Sequence, residues 1–519
     1  MQIKISAVAI ILSSIVLTQP FALHAKNNSV NSTRNYTDRI IVKFKPEKSS
    51  VTTTSKPSIR TLHTSRNISL QYRHDMIDNS QVYSLGQPLK LDEVRQIASE
   101  LMQRDDVEYA EPDARRFPAF TPIDASYGNQ WYLFESAGGI RADQAWDITR
   151  GSINTVTAVI DTGITEHSEL SRLLPGYDFI SEDSPGVFGT ANDGDGRDND
   201  PSDPGDFITS GESTTPGGLF ENCPVSDSSW HGTLVAGIII AETDNSSGIA
   251  GIDHNGFVLP IRALGKCGGY ISDIADAIRW ASGATVAGVP ANTNPADVIN
   301  LSLGGEGPCS ISEQSAIDAA IANNAIMVVA AGNEGGPAGD SAPGNCDNVI
   351  NVAATSRQGA ETLYTNIGSE IDLSAPGGSD SSGANGILST SNSGTTTPST
   401  EAFASAIGTS FAAPMVAGAA ALIKGLSPAA TPIQIEAILK NTARPFPTDT
   451  SDGFGDCNTN RCGAGILELH SAVAEVSINP PPTSPTTRTF TSTGSGAMVW
   501  LLPLLITMSL LQRRNKKTS

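Results

Sequence analysis

The sequence predicts an α/β fold, a parallel sheet covered by helices on both faces, and three observations predict it. Between about Ala119 and Val476, short apolar runs recur without the polar alternation of a half-exposed strand. Each run is rich in Val, Ile and Ala, as strands buried on both faces are. Segments with helical spacing separate the runs, which is the order that makes neighbouring strands parallel.

The strands in chain order are TVTAVI (155–160), FVLPIRAL (257–264), DVINLSLG (297–304), AIMVVAAGN (325–333) and VINVAAT (349–355). The helices include SDIADAIRWAS (272–282), SISEQSAIDAAIANN (310–324), SFAAPMVAGAAALIKG (410–425) and TPIQIEAILKNTA (431–443). A smaller α+β unit precedes them. Its RIIVKFKP (39–46) alternates like a strand, and its LKLDEVRQIASELMQRDD (89–106) places Leu91, Val94, Ile97 and Leu101 at helical spacing. VEYAEPDARRF (107–117) reads as a closing strand that runs into basic residues.

The two ends have a different character. Residues 1–25 carry a Lys near the start, an apolar run and small residues up to Ala25, the pattern of a secretory signal cut before Lys26. A retained amphipathic anchor is the alternative. Residues 477–496 are a Pro/Thr/Ser linker with nothing to pack. Residues 497–519 are a short apolar run, interrupted by Pro503 and ending in Arg and Lys, against the roughly 20 residues a span needs. The expected divisions are 1–25, 26–118, 119–476, 477–496 and 497–519.

The formal net charge of -21 over 519 residues is uneven. Residues 26–118 hold 15 Lys and Arg against 12 Asp and Glu, whereas residues 119–476 hold 12 against 42. So acidic a body excludes nucleic acid as a partner. The six cysteines show no CxxC metal spacing, and an even number in an exported chain favours disulfides. Of the fifteen pairings six cysteines allow, neighbours are expected: Cys223 with Cys267, Cys309 with Cys346, and Cys457 with Cys462.

Asp161-Thr162-Gly163 is ambiguous, because Asp-Thr-Gly is also the triplet of enzymes that use two carboxylates. That chemistry requires a second triplet, and DSSG at Asp380 has one residue too many. The other reading requires a base, a nucleophile and a donor for an oxyanion. His231 stands before a Gly at the start of a small-residue helix, Ser410 follows Gly408-Thr409 at a helix mouth, and Asn333 lies just past a buried strand. A serine at a helix N-terminus sits among unpaired N–H groups, where the dipole favours negative charge. Pro414 is expected to be tolerated there as part of the first turn. The chain order Asp, His, Ser is one of the three known triad orders.

In these stretches the sequence resembles the subtilisin-like serine proteases. VIDTGITEHSEL, HGTLVAGIII, LPIRALG, NLSLGG, VVAAGNEG and GTSFAAPMVAGAAALI resemble the family's motifs and follow in its order over residues 125–475. The resemblance implies an open, mostly parallel sheet with helices on both faces, and a secreted serine endopeptidase of broad specificity. Asp161, His231 and Ser410 would be its triad and Asn333 its oxyanion donor. Protein or peptide substrates would pair with Gly268, Gly269 and Tyr270 as an edge strand, opposite a wall of Ser302, Leu303 and Gly304. Residues 26–118 would be a propeptide that assists folding and then blocks the cleft as an intramolecular inhibitor. A monomer is expected, secreted or at the cell surface. The alternative is a surface-tethered binding protein on the same scaffold with catalysis lost.

Two segments invite further readings. In NDGDGRDNDPSDPGD (192–206), Asp193, Asp195, Asp198, Asp200, Asp203 and Asp206 offer oxygens suited to calcium, although Arg197 and Pro204 exclude an EF-hand; a solvated loop is the alternative. ETDNSSGIAG (242–251) lies where many family members bind another calcium, but its altered length and ligand types carry no site over. The C-terminal segment resembles a Gly-containing bacterial sorting tail, with GSG in place of the usual paired Gly. A plain membrane anchor with a basic cytoplasmic end is the other reading.

Overall fold

The computed structural model describes residues 36–45, 61–63, 68–115, 120–448 and 456–481. The signal at 1–25, residues 118 and 119 at the expected boundary, most of the linker and the tail at 497–519 lie outside the described residues.

The N-terminal unit is a five-stranded antiparallel sheet with one helix. Its strands are β1 (Tyr36–Phe44), β2 (Thr61–His63), β3 (Ser69–Asp75), β4 (Gln81–Lys90) and β5 (Val107–Pro112), in the order β2-β3-β4-β1-β5. Helix α1 (Leu91–Met102) buries Val94, Ile97, Ala98 and Leu101 against Ile40, Val42, Leu70 and Tyr83. The three middle strands were not foreseen, because SLQYRHD is almost wholly polar and QVYSLGQPLK lacks strict alternation.

Seven parallel strands form the main sheet. In chain order they are β6 (Val156–Asp161), β7 (Tyr177–Asp178), β8 (Phe257–Arg262), β9 (Val298–Leu301), β10 (Ile326–Ala330), β11 (Ile350–Thr355) and β12 (Leu373–Pro376), and across the sheet the order is β12-β11-β10-β9-β6-β8-β7. Successive residues serve opposite faces, as strand geometry requires. Val159, Val258, Val298 and Val328 join one core, and Ala158, Leu259, Ile299 and Val329 the other. The first core is closed by α2 (His231–Ile240), α5 (Thr409–Leu426), α6 (Pro432–Thr442) and α7 (Leu469–Ile478). The second is closed by α3 (Ile271–Ala281) and α4 (Ile311–Ala322). Helices therefore cover both faces, as expected.

Among the described residues α5 is long and apolar enough to cross a membrane, but it is the central helix of the first core. Its Ala and Gly residues permit that packing: a Cβ at Gly418 would lie 2.9 Å from Ile252. Three disulfides join Cys223 to Cys267, Cys309 to Cys346 and Cys457 to Cys462, and among the described residues no cysteine is free.

Candidate active site

The carboxyl ends of the central strands β6, β9 and β10 and the first turns of α2 and α5 meet at the carboxyl end of the main sheet, the usual place for a site in an open parallel sheet. Asp161 closes β6 and is fully buried. Its Oδ1 accepts the Thr162 N–H at 2.7 Å. His231 opens α2, and its Nδ1 lies 2.8 Å from Asp161 Oδ1 and 2.9 Å from Oδ2. Glycine at 232 makes this approach possible, since a Cβ there would fall 2.2 Å from the Gly163 carbonyl oxygen and 3.2 Å from Asp161 Cβ. Burial by itself lowers the His231 pKa. The Asp161 charge and hydrogen bond, helped by Asp206 and Asp203, outweigh that effect, and the net shift is upward.

Ser410 is the second residue of α5. The His231 ring lies 5.5 Å, centroid to centroid, from Phe411, so the imidazole is beside the turn that carries the hydroxyl. Ser410 Oγ donates to the Ser302 carbonyl at 3.3 Å, and the Ser302 hydroxyl donates back to the Ser410 carbonyl at 2.7 Å. Pro414 explains the second bond. It is the sixth residue of α5, beyond the first turn expected for it, and it has no N–H to give to the carbonyl four residues earlier. That carbonyl belongs to Ser410, and Ser302 supplies the missing donor. Ser302 is itself held by Asn300 Nδ2 at 2.9 Å.

Asn333 follows β10. Its Oδ1 accepts both the Thr409 N–H (2.9 Å) and the Thr409 hydroxyl (3.0 Å). Two donors on one atom identify that atom as the oxygen, which leaves the Asn333 NH₂ group available beside the start of α5. Gly408, with φ 146°, makes the bend into the helix, a conformation that L side chains rarely adopt.

The two expected binding segments differ. Ser302, Leu303 and Gly304 run from β9 directly past Ser410, and a Cβ at Gly304 would lie 3.1 Å from the Ala342 carbonyl oxygen. Cys267–Ser272 is not the edge strand expected of it. Cys267 (φ 64°) and Gly268 (φ 100°) take left-handed conformations, Gly265 and Gly268 exchange backbone hydrogen bonds, and α3 begins at Ile271. The Cys223–Cys267 disulfide ties this turn to the loop before α2. Gly268, Gly269 and Tyr270 instead line a cavity of about 140 Å³ with Leu219, Phe220 and Lys266.

The aspartate loop does not gather its six carboxylates on one point. Asp193 is paired with Arg262, Asp203 accepts the Thr162 hydroxyl, and Asp206 accepts the Ser229 N–H and hydroxyl. Asp198 and Asp200 accept backbone N–H groups of their own loop. Among the described residues the six do not converge as a cluster close enough to share one calcium ion.

A better donor set surrounds the segment that seemed altered. Buried Asp124 accepts the Asp244 and Asn245 N–H groups, and buried Glu169 lies against the Asn245 amide. Burial raises both pKa values, with further repulsion from Asp244 on Asp124 and from Asp124 and Glu242 on Glu169, and among the described residues neither is paired with a Lys or Arg. Crowded, uncompensated oxygens fit a hard cation. Reading the loop alone missed them, because Asp124 and Glu169 come from distant parts of the chain.

The model of the Subtilase family matches residues 152–465. The chain belongs to the subtilase family. Among similar subtilases, an extracellular protease of Xanthomonas campestris pv. campestris is 47% identical over 382 residues, 73% of this chain and 60% of that protein. An extracellular basic protease of Dichelobacter nodosus is 38% identical over 390 residues, 74% of this chain and 61% of that protein. The chain thus spans about three fifths of the length of these two relatives. A solved structure of a protease from Pseudoalteromonas arctica PAMC 21717 matches with a TM-score of 0.63 and 48% identity, covering 68% of this chain and 99% of that one.

Proposed function

We propose that the protein is a secreted serine endopeptidase. The observation that carries this reading is the buried Asp161 carboxylate against His231 Nδ1, at the carboxyl end of the sheet where Ser410 opens a helix. In this reading His231 takes the Ser410 proton as Oγ attacks a peptide carbonyl, then gives it to the departing amine. Water hydrolyses the acyl-enzyme by the same route. The free NH₂ of Asn333 and the Ser410 backbone N–H stabilise the tetrahedral oxyanion. Leucine at 333 is therefore expected to lower kcat by about 10²–10³ with KM little changed; steady-state kinetics giving a loss in KM alone would remove Asn333 from that role.

Substrates are unfolded proteins or peptides bound in extended form, with Ser302–Gly304 as one wall and Gly268–Tyr270 at the other side. Main-chain contacts along the Ser302–Gly304 wall tolerate many sequences, so specificity is broad. Secretion is supported by the three disulfides, by the signal-like residues 1–25 and by the extracellular names of the relatives. The unit before Ala119 acts as a propeptide, supported by its own core and by its net positive charge beside an acidic body. The alternative of a scaffold without catalysis is disfavoured by the intact constellation. The direct test is hydrolysis of denatured casein, silenced by a serine-directed phosphonate that adds to Ser410. Absence of both hydrolysis and labelling would end the reading.

Calcium, where bound, would be held by Glu169 and Asp124 with the Asn245 side chain, and its part is to neutralise buried charge rather than to enter the chemistry. A ligand at a hundredfold excess over Kd stabilises by about 2.7 kcal/mol, or on the order of 3–5 °C in Tm for a body of this size. Glu169→Gln is expected to abolish that increment in a calcium titration followed by calorimetry. An increment that survives the substitution would place the ion elsewhere.

A further inference from the structure

We propose that Asp203 is a positioning residue of the catalytic site, acting through the Thr162 hydroxyl on the junction between Asp161 and His231. The proposal rests on the triad reading above.

Asp203 is 2% exposed, and among the described residues it forms no hydrogen bond or ion pair with a Lys or Arg. Each of its oxygens has one donor. Oδ1 accepts the Gly205 N–H at 2.9 Å, and Oδ2 accepts the Thr162 hydroxyl at 2.7 Å. The backbone fixes its place, since Asp203 N–H donates to the Ile164 carbonyl and Ile164 N–H donates to the Pro201 carbonyl, both at 3.0 Å. The loop is thus stitched to the chain just beyond Asp161.

An ionised carboxylate can only accept, so the Thr162 hydroxyl proton must point at Asp203. The hydroxyl oxygen then turns a lone pair toward the Gly232 N–H, 3.1 Å away. That N–H is one of the unsatisfied donors at the start of α2. Thr162 also donates its own backbone N–H to Asp161 Oδ1. One residue therefore holds the acid of the triad through its main chain and the neighbour of the base through its side chain. Asp203 fixes the polarity of that double link.

The choice of residue type follows. Asparagine would offer one acceptor to two donors and set an NH₂ group against either the Thr162 hydroxyl or the Gly205 N–H. Burial raises the Asp203 pKa to about 6, so the group is still ionised at the alkaline side of neutrality, where a neutral His231 can act as base. A carboxylate kept charged in a buried place is costly unless its hydrogen bonds are satisfied, and here one fixes its own loop at Gly205 and the other goes to Thr162, beside Asp161. A small displacement of catalytic groups, about 1 Å, can cost 10²-fold in rate.

The test is a series of Asp203→Asn, Thr162→Val, Thr162→Ser and the double variant Asp203→Asn/Thr162→Val, with Ser410→Ala alongside. Kinetics are measured on a peptide substrate, and folding is checked by melting. Asp203→Asn and Thr162→Val are each expected to lower kcat by about 10–100-fold with KM within threefold. Thr162→Ser should recover most of that loss, and the double variant should be no worse than the worse single one. The carboxylates that act on His231 are Asp161, Asp206 and Asp203, and from α5 the uncharged Phe411 ring packs beside it, next to Ser410.

Three results would overturn the proposal: unchanged kcat in Asp203→Asn, losses that multiply in the double variant, or an acid limb of kcat/KM displaced with the plateau intact. The last would mean a through-space charge effect on His231 instead of positioning. Should Asp203→Asn not fold, the Thr162 pair probes the same hydrogen bond, and equal activity of the valine and serine variants would refute it. An inactive parent, or an active Ser410→Ala, would mean that the triad reading itself had failed.

Discussion

Ser410→Ala is expected to lower kcat on a peptide substrate by about 10⁶-fold while leaving KM and the melting temperature nearly unchanged. The size follows from the covalent route, since without Oγ no acyl-enzyme forms and only oxyanion stabilisation and binding remain. The small structural effect follows from the contacts. Ser410 Oγ makes one long hydrogen bond to the Ser302 carbonyl, and the carbonyl of Ser410, which does bear structural load through Ser302 and Pro414, is untouched by alanine. The same variant reports on maturation. If the N-terminal unit is removed by the enzyme itself, Ser410→Ala should accumulate with residues 26–118 attached, whereas active protein should begin near residue 119. N-terminal sequencing and mass measurement decide between them. A loss in kcat below tenfold would overturn the serine mechanism, and an active enzyme that still starts at Lys26 would overturn self-processing.

The parts of this protein that could be read from sequence are those set by local pattern. Runs such as AIMVVAAGN announce a strand buried on both faces, and β10 occupies Ile326–Ala330 within that run. The small residues of α5 were legible as those of a closely packed helix, and the contact at Gly418 gives the reason. Of the cysteine pairs, Cys457–Cys462 was legible from its separation of 5 residues, whereas separations of 44 and 37 gave Cys223–Cys267 and Cys309–Cys346 no such constraint. Tertiary bookkeeping was not legible. The aspartates from Asp193 to Asp206 look alike in the sequence. In the fold, one meets Arg262, one Thr162 and one Ser229, and those partners come from other segments. Cys267–Tyr270 reads as an extended glycine stretch, yet two left-handed residues and a disulfide to Cys223 turn it into a corner. Pro414 was placed one turn too early, and so its consequence for the Ser410 carbonyl could not be seen. Asp124 was silent because it stands in no motif, and Glu169, although within VIDTGITEHSEL, because its neighbours come from distant segments.

Asp161→Asn is expected to cost about 10⁴ in kcat without disturbing the fold. The argument turns on which ring nitrogen carries the proton. His231 can accept the Ser410 proton only at Nε2, which requires the neutral imidazole to hold its hydrogen on Nδ1. In the parent, both Asp161 oxygens lie within 2.9 Å of Nδ1, so that hydrogen meets acceptors only. Asparagine in either orientation sets an NH₂ group against the same nitrogen. The ring then relieves the clash by moving its hydrogen to Nε2, where it faces the nucleophile as a donor and cannot act as base.

The pH dependence supplies an independent check. In the parent, the Asp161 charge opposes the effect of burial and holds the His231 pKa above its ordinary value. The imidazolium is the inactive form of the base, so the acid limb of kcat/KM lies above pH 6.5 and activity falls as the pH drops through it. Neutralising Asp161 removes the largest upward influence. The acid limb should therefore move to lower pH while the plateau drops, a combination that loss of folded protein cannot produce. A plateau within tenfold of the parent, or a limb that stays in place, would show that Asp161 does not hold the imidazole.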